Sequence, residues 1–366
     1  MKAVVVAGAR PNFMKVAPIL AALDRDGAQH VFVHTGQHYD VSMSDAFLRD
    51  LSLPEPAWHL GVGSGTHAQQ TARVMESFEP VLEAERPDWV IVVGDVNSTL
   101  ACALVTAKLD RGPRLAHVEA GLRSRDWTMP EEVNRVVTDR LSHLLLTPSR
   151  DAHANLTSEG IDPARIVFVG NVMIDSLLNL LPVARSRDVT STLGIGAGPF
   201  VLATLHRPSN VDDPARLEVI LEAFGCLAPR LPVVLPMHPR TRERVRSFGL
   251  ERLLEPLQVR EPVGYVEMLA LQDAAALVVT DSGGIQEETS VLGVPCLTLR
   301  EVTERPVTIT EGTNRLVPWP PTTDGILQAV NEGLSLGRVA VGARAPEGWD
   351  GHAGPRIAQA LGRETV

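Results

Sequence analysis

An apolar β-type run, a turn rich in small and polar residues, then a helix: this order recurs along the chain, and no other feature narrows its fold as much. Lys2 to Ala7 leads through Gly8-Ala9-Arg10 into a helix carrying Val16, Ile19, Leu20 and Leu23. Trp89 to Val93 leads through Gly94-Asp95 into a helix over Leu100 to Leu109. Ala274 to Val279 leads through Asp281-Ser282-Gly283-Gly284 into a helix with Ile285, Thr289 and Leu292 in step. Runs too apolar to alternate in and out read as strands buried on both faces, and strands alternating with helices read as a parallel sheet. The series weakens through Arg185 to Gly198 and restarts at Phe200, so that segment is the expected linker. An α/β chain of two doubly wound parallel sheets facing each other across a cleft is therefore expected, as residues 1–172 and 173–350, with 351–366 a short last helix.

Open parallel sheets bind ligands beyond the carboxyl ends of their strands, and polar residues gather there in this chain. Arg10 and Lys15 lie near the start of the first helix, where cations oppose the helix dipole; a bound anion would remove the conflict. Gln37, His38 and Asp40 follow the second strand, His30 to His34. Asp95 ends the Trp89 run. Glu119 closes the run Leu115 to Val118 as a partly desolvated carboxylate suited to proton transfer. Glu131 has two readings, since Thr128-Met129-Pro130-Glu131 also fits a capping box. In the second series His206-Arg207 follows Phe200 to Thr204, His238 follows Val233 to Leu235, and Arg305 precedes Pro306. Gly283 and Gly284 let backbone N–H groups at a helix start approach a phosphate, although Asp281 or Ser282 could instead cap that helix.

Net charge of -10 argues against a general nucleic-acid or membrane-surface binder. Cys102, Cys226 and Cys296 are far apart with no CxxC spacing, which suggests neither zinc nor disulfides and fits a reducing cytoplasm. No run approaches the roughly 18 apolar residues of a membrane span.

Taken together, Gly8-Ala9-Arg10-Pro11-Asn12-Phe13-Met14-Lys15, His117-Val118-Glu119-Ala120-Gly121-Leu122-Arg123, Pro130-Glu131-Glu132-Val133-Asn134-Arg135, His206-Arg207, Asp281 to Glu288 and Thr303-Glu304-Arg305-Pro306 resemble the non-hydrolysing UDP-N-acetylglucosamine 2-epimerases. The motifs stand in family order from Lys2 to about Val317. The resemblance implies a GT-B fold of two Rossmann-like domains, a homodimer, no metal, no nicotinamide cofactor, and a last helix that crosses back onto the first domain. It places Ser282, Gly283 and Gly284 at the diphosphate of a UDP-sugar and Glu288 on the ribose. Arg305, Arg10 and Lys15 would supply positive charge, with Arg207, Val263 and Met268 among the substrate contacts. Asp95, Glu119, Glu131 and His206 take the catalytic positions, and Gln37, His38 and His238 match an allosteric UDP-GlcNAc site of some bacterial members. Ala9, Asn12-Phe13 and Pro208-Ser209-Asn210 depart from the common family pattern. That leaves UDP-2,3-diacetamido-2,3-dideoxyglucuronate as an alternative substrate. A GT-B glycosyltransferase and a non-catalytic UDP-sugar sensor are the rival functions.

Overall fold

The computed structural model describes residues 1–37 and 51–363. His38 and Asp40 lie outside the described residues, as does the side chain of Arg10. The chain divides into two compact units, Met1–Asn179 with Glu347–Val366, and Leu180–Pro346.

In the first unit the strands are β1 (Lys2–Ala7), β2 (Gln29–His34), β3 (Trp58–His59), β4 (Trp89–Val93), β5 (Arg114–Val118), β6 (Leu144–Thr147) and β7 (Ile166–Phe168). They form one sheet in the order β3-β2-β1-β4-β5-β6-β7, and every pair is parallel. Leaving single-turn helices unlabelled, the connecting helices are α1 (Arg10–Arg25), α2 (His67–Glu85), α3 (Asn97–Lys108), α4 (Pro130–Leu141) and α5 (Arg150–Ser158). All five residues of β4 are buried, as a strand covered on both faces requires. One apolar cluster of the core joins Val4, Val90 and Val92 to Val74, Phe78 and Val81 of α2 and Ala101, Cys102 and Val105 of α3.

The second unit repeats the design with β8 (Val201–Thr204), β9 (Val233–Pro236), β10 (Gln258–Arg260), β11 (Leu277–Thr280), β12 (Cys296–Thr298) and β13 (Asn314–Leu316), all parallel, in the order β10-β9-β8-β11-β12-β13. In each sheet the strand order reverses beside the first strand, at β1/β4 and at β8/β11. At such a switch point the helices leave toward opposite faces, and the carboxyl ends of the two strands open a crevice.

The expected linker is not one. The units divide inside a continuous helix, α6 (Val172–Ser186), between Asn179 and Leu180. Residues after it are tied into the second unit: Arg185 makes a two-point ion pair with Asp273 at 2.8 and 3.0 Å, and Arg187 pairs with Glu267. The composition is loop-like, but these charges hold ordered structure.

The remaining second-unit helices are α7 (Pro214–Leu227), α8 (Pro239–Ser247), α9 (Tyr265–Ala274), α10 (Gly283–Leu292) and α11 (Thr323–Leu336). The last helix, α12 (Ala353–Arg363), packs on α1 in the first unit. A Cβ on Gly354 would lie 2.6 Å from the Pro18 carbonyl, so the two helices meet through a glycine. Buried Asp175 of α6 accepts from the N–H groups of Ala353 and Gly354 at 3.1 and 2.8 Å, closing the start of α12 from another element. Burial raises this carboxyl above its usual value despite those bonds. Asp175→Ala should remove about 2 kcal/mol of local stability, the scale of hydrogen bonds to a charged group. Amides of α12 would then exchange with solvent roughly 30-fold faster, and unchanged protection would show that Asp175 does not anchor the helix.

Candidate active site

The first unit assembles its polar residues at the β1/β4 switch point and beside β5. Asn12 replaces a conventional cap of α1: its Oδ1 accepts from the N–H groups of Gly8 and Ala9 at 3.1 and 3.0 Å, and its amide reaches the Val93 carbonyl. The helix turns Lys15 inward, where the ammonium pairs with Glu119, both side chains buried. Lys15 thus meets its counter-charge inside the protein, which answers the dipole conflict of the sequence. Register pairs Val93 with Val118, so Glu119 emerges beside Gly94. Glu119 adopts φ of +70°, a left-handed backbone rare in a residue with a long side chain. Strain of this kind costs of order 1–3 kcal/mol and persists where surrounding structure enforces it. Here the Glu119 and Ala120 N–H groups both donate to the Leu146 carbonyl of β6, at 3.1 and 3.2 Å.

Asp95 is held by Arg135, whose other guanidinium nitrogen donates to Glu132 at 2.9 Å. Glu132 is buried and also accepts from the Ser124 and Arg125 N–H groups, both at 2.9 Å, which keeps its carboxyl below the usual value in spite of burial. Asn134 fixes the Asp95 carbonyl at 2.8 Å. Glu131, one residue away, forms no hydrogen bond or ion pair with the described residues and is half-buried. The capping box does not form: Met129 stands at the N-cap, and Thr128 donates to Asp126 at 2.6 Å instead. His117 lies behind this group, spanning the Gly94 carbonyl at 2.8 Å and Asp139 at 2.6 Å. Gln37 is engaged locally, its side-chain Oε1 accepting from the Ser98 N–H and hydroxyl at 3.0 and 2.7 Å.

The second unit builds an anion-binding arrangement at β8/β11. Pairing of Thr280 with Thr204 brings Asp281 beside His206 and Arg207. Asp281 does not cap α10. It accepts from the His206 and Arg207 N–H groups, from Asn210 at 3.1 Å and from His206 Nδ1 at 3.0 Å. Ser282 stands at the N-cap without a side-chain bond, so no side chain occupies the N–H groups opening α10. A Cβ on Gly283 would sit 2.7 Å from Arg305 Nη1; the glycine admits that guanidinium to the helix start. Glu304, 1% exposed, gathers Arg305 at 2.9 Å, Arg300 at 2.7 Å and Arg207 at 3.8 Å, while Glu287 pairs with Arg305 at 2.7 Å. The three guanidiniums thus stand among Glu304, Glu287 and the Asp281 carboxylate, which contacts the Arg207 backbone. Burial lowers the Arg300 pKa, and the neighbouring Arg207 and Arg305 lower it further.

Glu288, one turn into α10, is buried and accepts from Gln272 at 2.6 Å. Burial pushes its carboxyl up to about 7, against the hydrogen bonds from Gln272 and Tyr265. Val263 and Met268 are half-buried around the start of α9. The His238 ring centroid lies 6.0 Å from that of His206, and burial followed by that neighbour lowers its pKa. Among the described residues no group of three or more His, Cys, Asp or Glu is placed to hold a metal ion.

The sequence reading overlooked Glu132, Arg135, His117 and Asp139 in the first unit, and Glu287, Arg300 and Glu304 in the second. The usable signal was charge at positions that helical spacing turns inward, as in Glu287 of α10, where every residue from Ile285 to Leu292 is buried.

A family model for UDP-N-acetylglucosamine 2-epimerase matches residues 21–362. The chain belongs to that family. Among curated 2-epimerase family proteins, the UDP-N-acetylglucosamine 2-epimerase of Methanocaldococcus jannaschii is 43% identical over 326 residues, 87% of this chain and 88% of its own. The UDP-2,3-diacetamido-2,3-dideoxy-D-glucuronate 2-epimerase of Pseudomonas aeruginosa is 45% identical over 322 residues, with the same coverage of 87% and 88%. The solved M. jannaschii 2-epimerase in complex with UDP-GlcNAc and UDP matches with a TM-score of 0.89 at 40% identity, covering 99% of this chain and 100% of that one. These likenesses are consistent with the GT-B class of two parallel-sheet α/β domains.

Within this 2-epimerase family chain, Gly94 is the tightest constraint beside the carboxylates. Its φ is +66°, and an added Cβ would lie 2.9 Å from Lys15 Nζ and 3.4 Å from Glu119 Oε2. Gly94→Ala should lower the unfolding free energy by about 1–2 kcal/mol from backbone conformation alone. Urea unfolding measures this, and an unchanged midpoint would contradict the placement.

Proposed function

We propose that this chain inverts C2 of a UDP-2-acetamido sugar, converting UDP-GlcNAc to UDP-ManNAc. The carrying observation is a division of labour: carboxylates at strand ends in the first unit, and an uncapped, arginine-flanked helix start in the second. The C–H at C2 has no neighbouring carbonyl to acidify it, so direct removal of that proton is difficult. Elimination solves this. A carboxylate takes the C2 proton as the C1–O bond to UDP breaks, leaving a C1=C2 double bond in a 2-acetamidoglucal; UDP oxygen then returns to C1 while a proton reaches C2 from the other face. Asp95, Glu119 and Glu131 are the proposed acid and base groups, and His206, Lys15, Arg10, Arg207 and Arg305 with Ser282 and the N–H groups of Gly283 and Gly284 meet the charge of the departing diphosphate. Glu288 takes the ribose hydroxyls, and Val263 and Met268 line the nucleotide. Gln37, His38 and His238 are proposed as an allosteric UDP-GlcNAc site. The reading includes a cytoplasmic homodimer; among the described residues no helix is long and apolar enough to cross a membrane.

One alternative substrate has specific support, the UDP-2,3-diacetamido uronate, through the 45% identical Pseudomonas relative. Incubation with UDP-GlcNAc in D2O, followed by NMR, decides between them. Deuterium at C2 and appearance of UDP-ManNAc are expected. Free sugar with UDP would indicate hydrolysis, and tight binding without exchange on either UDP-sugar would leave a sensor.

Glu288 adds a pH dependence. Ribose hydroxyls donate to an ionised carboxylate, so UDP should bind the deprotonated form. With the carboxyl at about 7, the affinity component due to Glu288 rises with pH and levels off above that value. One pH unit below, it should be weaker by about tenfold, with a proton released on binding. Calorimetry against Glu288→Gln isolates this from the titration of UDP itself, and identical pH profiles would remove Glu288 from the ribose.

A further inference from the structure

Asp281 is fully buried, yet it stands immediately before a helix start that attracts anions. A carboxylate there opposes a bound diphosphate by like-charge repulsion, so its presence calls for a compensating role. Its contacts point to one. Both oxygens face the segment that follows β8 rather than α10: they accept from the His206 N–H at 3.1 Å each, from the Arg207 N–H at 2.9 Å, from Asn210 Nδ2 at 3.1 Å and from His206 Nδ1 at 3.0 Å. Asn210 is fastened in turn to the Leu299 carbonyl at 2.9 Å. Burial pushes the Asp281 carboxyl up, but His206 and the surrounding donors hold it below the usual carboxylate range.

Two consequences follow from that geometry. With its acceptor sites spent on the segment after β8, Asp281 leaves the first N–H groups of α10 unoccupied by its side chain; the Ser282 N–H alone is taken, by Thr280 Oγ1 at 3.0 Å. The imidazole of His206 is anchored through Nδ1, so its free nitrogen is Nε2, on a ring that is partly exposed. A carboxylate facing Nδ1 selects the tautomer that carries hydrogen there and orients the ring.

We infer that Asp281 is a positioning residue for His206: it fixes the imidazole through Nδ1–H so that Nε2 faces the diphosphate of a UDP ligand, where it donates once the ring takes up a second proton, and it does so without capping the helix that binds that diphosphate. The proposal rests on the nucleotide-binding reading of this unit, and its kinetic arm alone rests on epimerisation.

The test uses the full-length protein labelled with [15N]histidine, observed by 1H–15N multiple-bond NMR at about pH 9, where imidazoles are neutral. His206 is assigned by the signals that vanish in His206→Asn. Without ligand a ring protonated at Nδ1 alone is expected, and saturation with UDP should move Nε2 toward its protonated shift, because only Nε2–H can donate to a phosphate oxygen. A ligand-free ring protonated at Nε2 alone, or an Nε2 that saturating UDP does not move, overturns the proposal. This measurement needs neither turnover nor an altered Asp281, so it decides even if Asp281→Asn fails to fold. Where that variant folds, kcat should fall about a hundredfold, the scale of a displaced proton-donating group, with KM little changed. The double variant should be no slower than His206→Asn, because residues acting as a unit are non-additive. Independent, multiplying losses would mean that Asp281 serves the fold alone. If no UDP-sugar turns over while the UDP-dependent Nε2 shift is present, epimerisation fails and the positioning of His206 stands.

Discussion

All strands of each sheet run the same way, and the arrangement of charged groups depends on that. A parallel strand delivers its last residue to the same edge as its neighbours, and the next helix starts there with its first N–H groups unpaired. Where strand order reverses, at β1/β4 and β8/β11, adjacent strand ends are left without a helix between them. Gly94 and the start of α1 meet at one reversal, and His206 and Asp281 at the other. Register then sets the finer match: Thr280 beside Thr204 and Val93 beside Val118 bring together residues far apart in the chain.

Gathering charge at such an edge costs free energy unless each group finds a partner, because burial removes most of the screening that water provides. The two units differ in how they meet this. In the first, Lys15 answers Glu119, and Arg135 answers both Asp95 and Glu132. In the second, Glu304 and Glu287 pair with the arginines, and burial first, then the neighbouring Arg207 and Arg305, lowers the pKa of Arg300. Buried guanidiniums beside open helix N–H groups are suited to hold an anion.

The fold was largely legible because it is written in local patterns. Buried parallel strands are continuous apolar runs, and Lys2 to Ala7 and Trp89 to Val93 could be recognised without knowing their partners, while the run Ala274 to Val279 overlaps the strand Leu277–Thr280. The expected linker was misread for a physical reason: a stretch rich in Arg, Ser and Gly resembles solvent-exposed loop, and only the distant Asp273 and Glu267 make its arginines structural. The same limit applied at the site. Lys15 and Glu119 lie 104 positions apart, so neither could announce the other. Local capping rules offered a capping box at Glu131 and a cap at Asp281, and neither forms, since Asp126 takes Thr128 and the segment after β8 takes Asp281.

The stretch from Asp281 to Glu288 therefore divides its work by direction. Asp281 faces back to the segment after β8, Gly283 admits Arg305, and Glu287 and Glu288 turn inward, one to that arginine and the other to Gln272. On the epimerase reading this separation has a purpose. The diphosphate is first leaving group and then returning nucleophile, so it must be stabilised when free without being held too tightly to react again. Fixed backbone N–H groups and a guanidinium restrained by two carboxylates suit that need, because their dipoles are set before charge develops and require little reorganisation when it does. A capping aspartate in the usual orientation would occupy those same N–H groups, which makes the turning away of Asp281 a condition of binding as much as a means of placing His206.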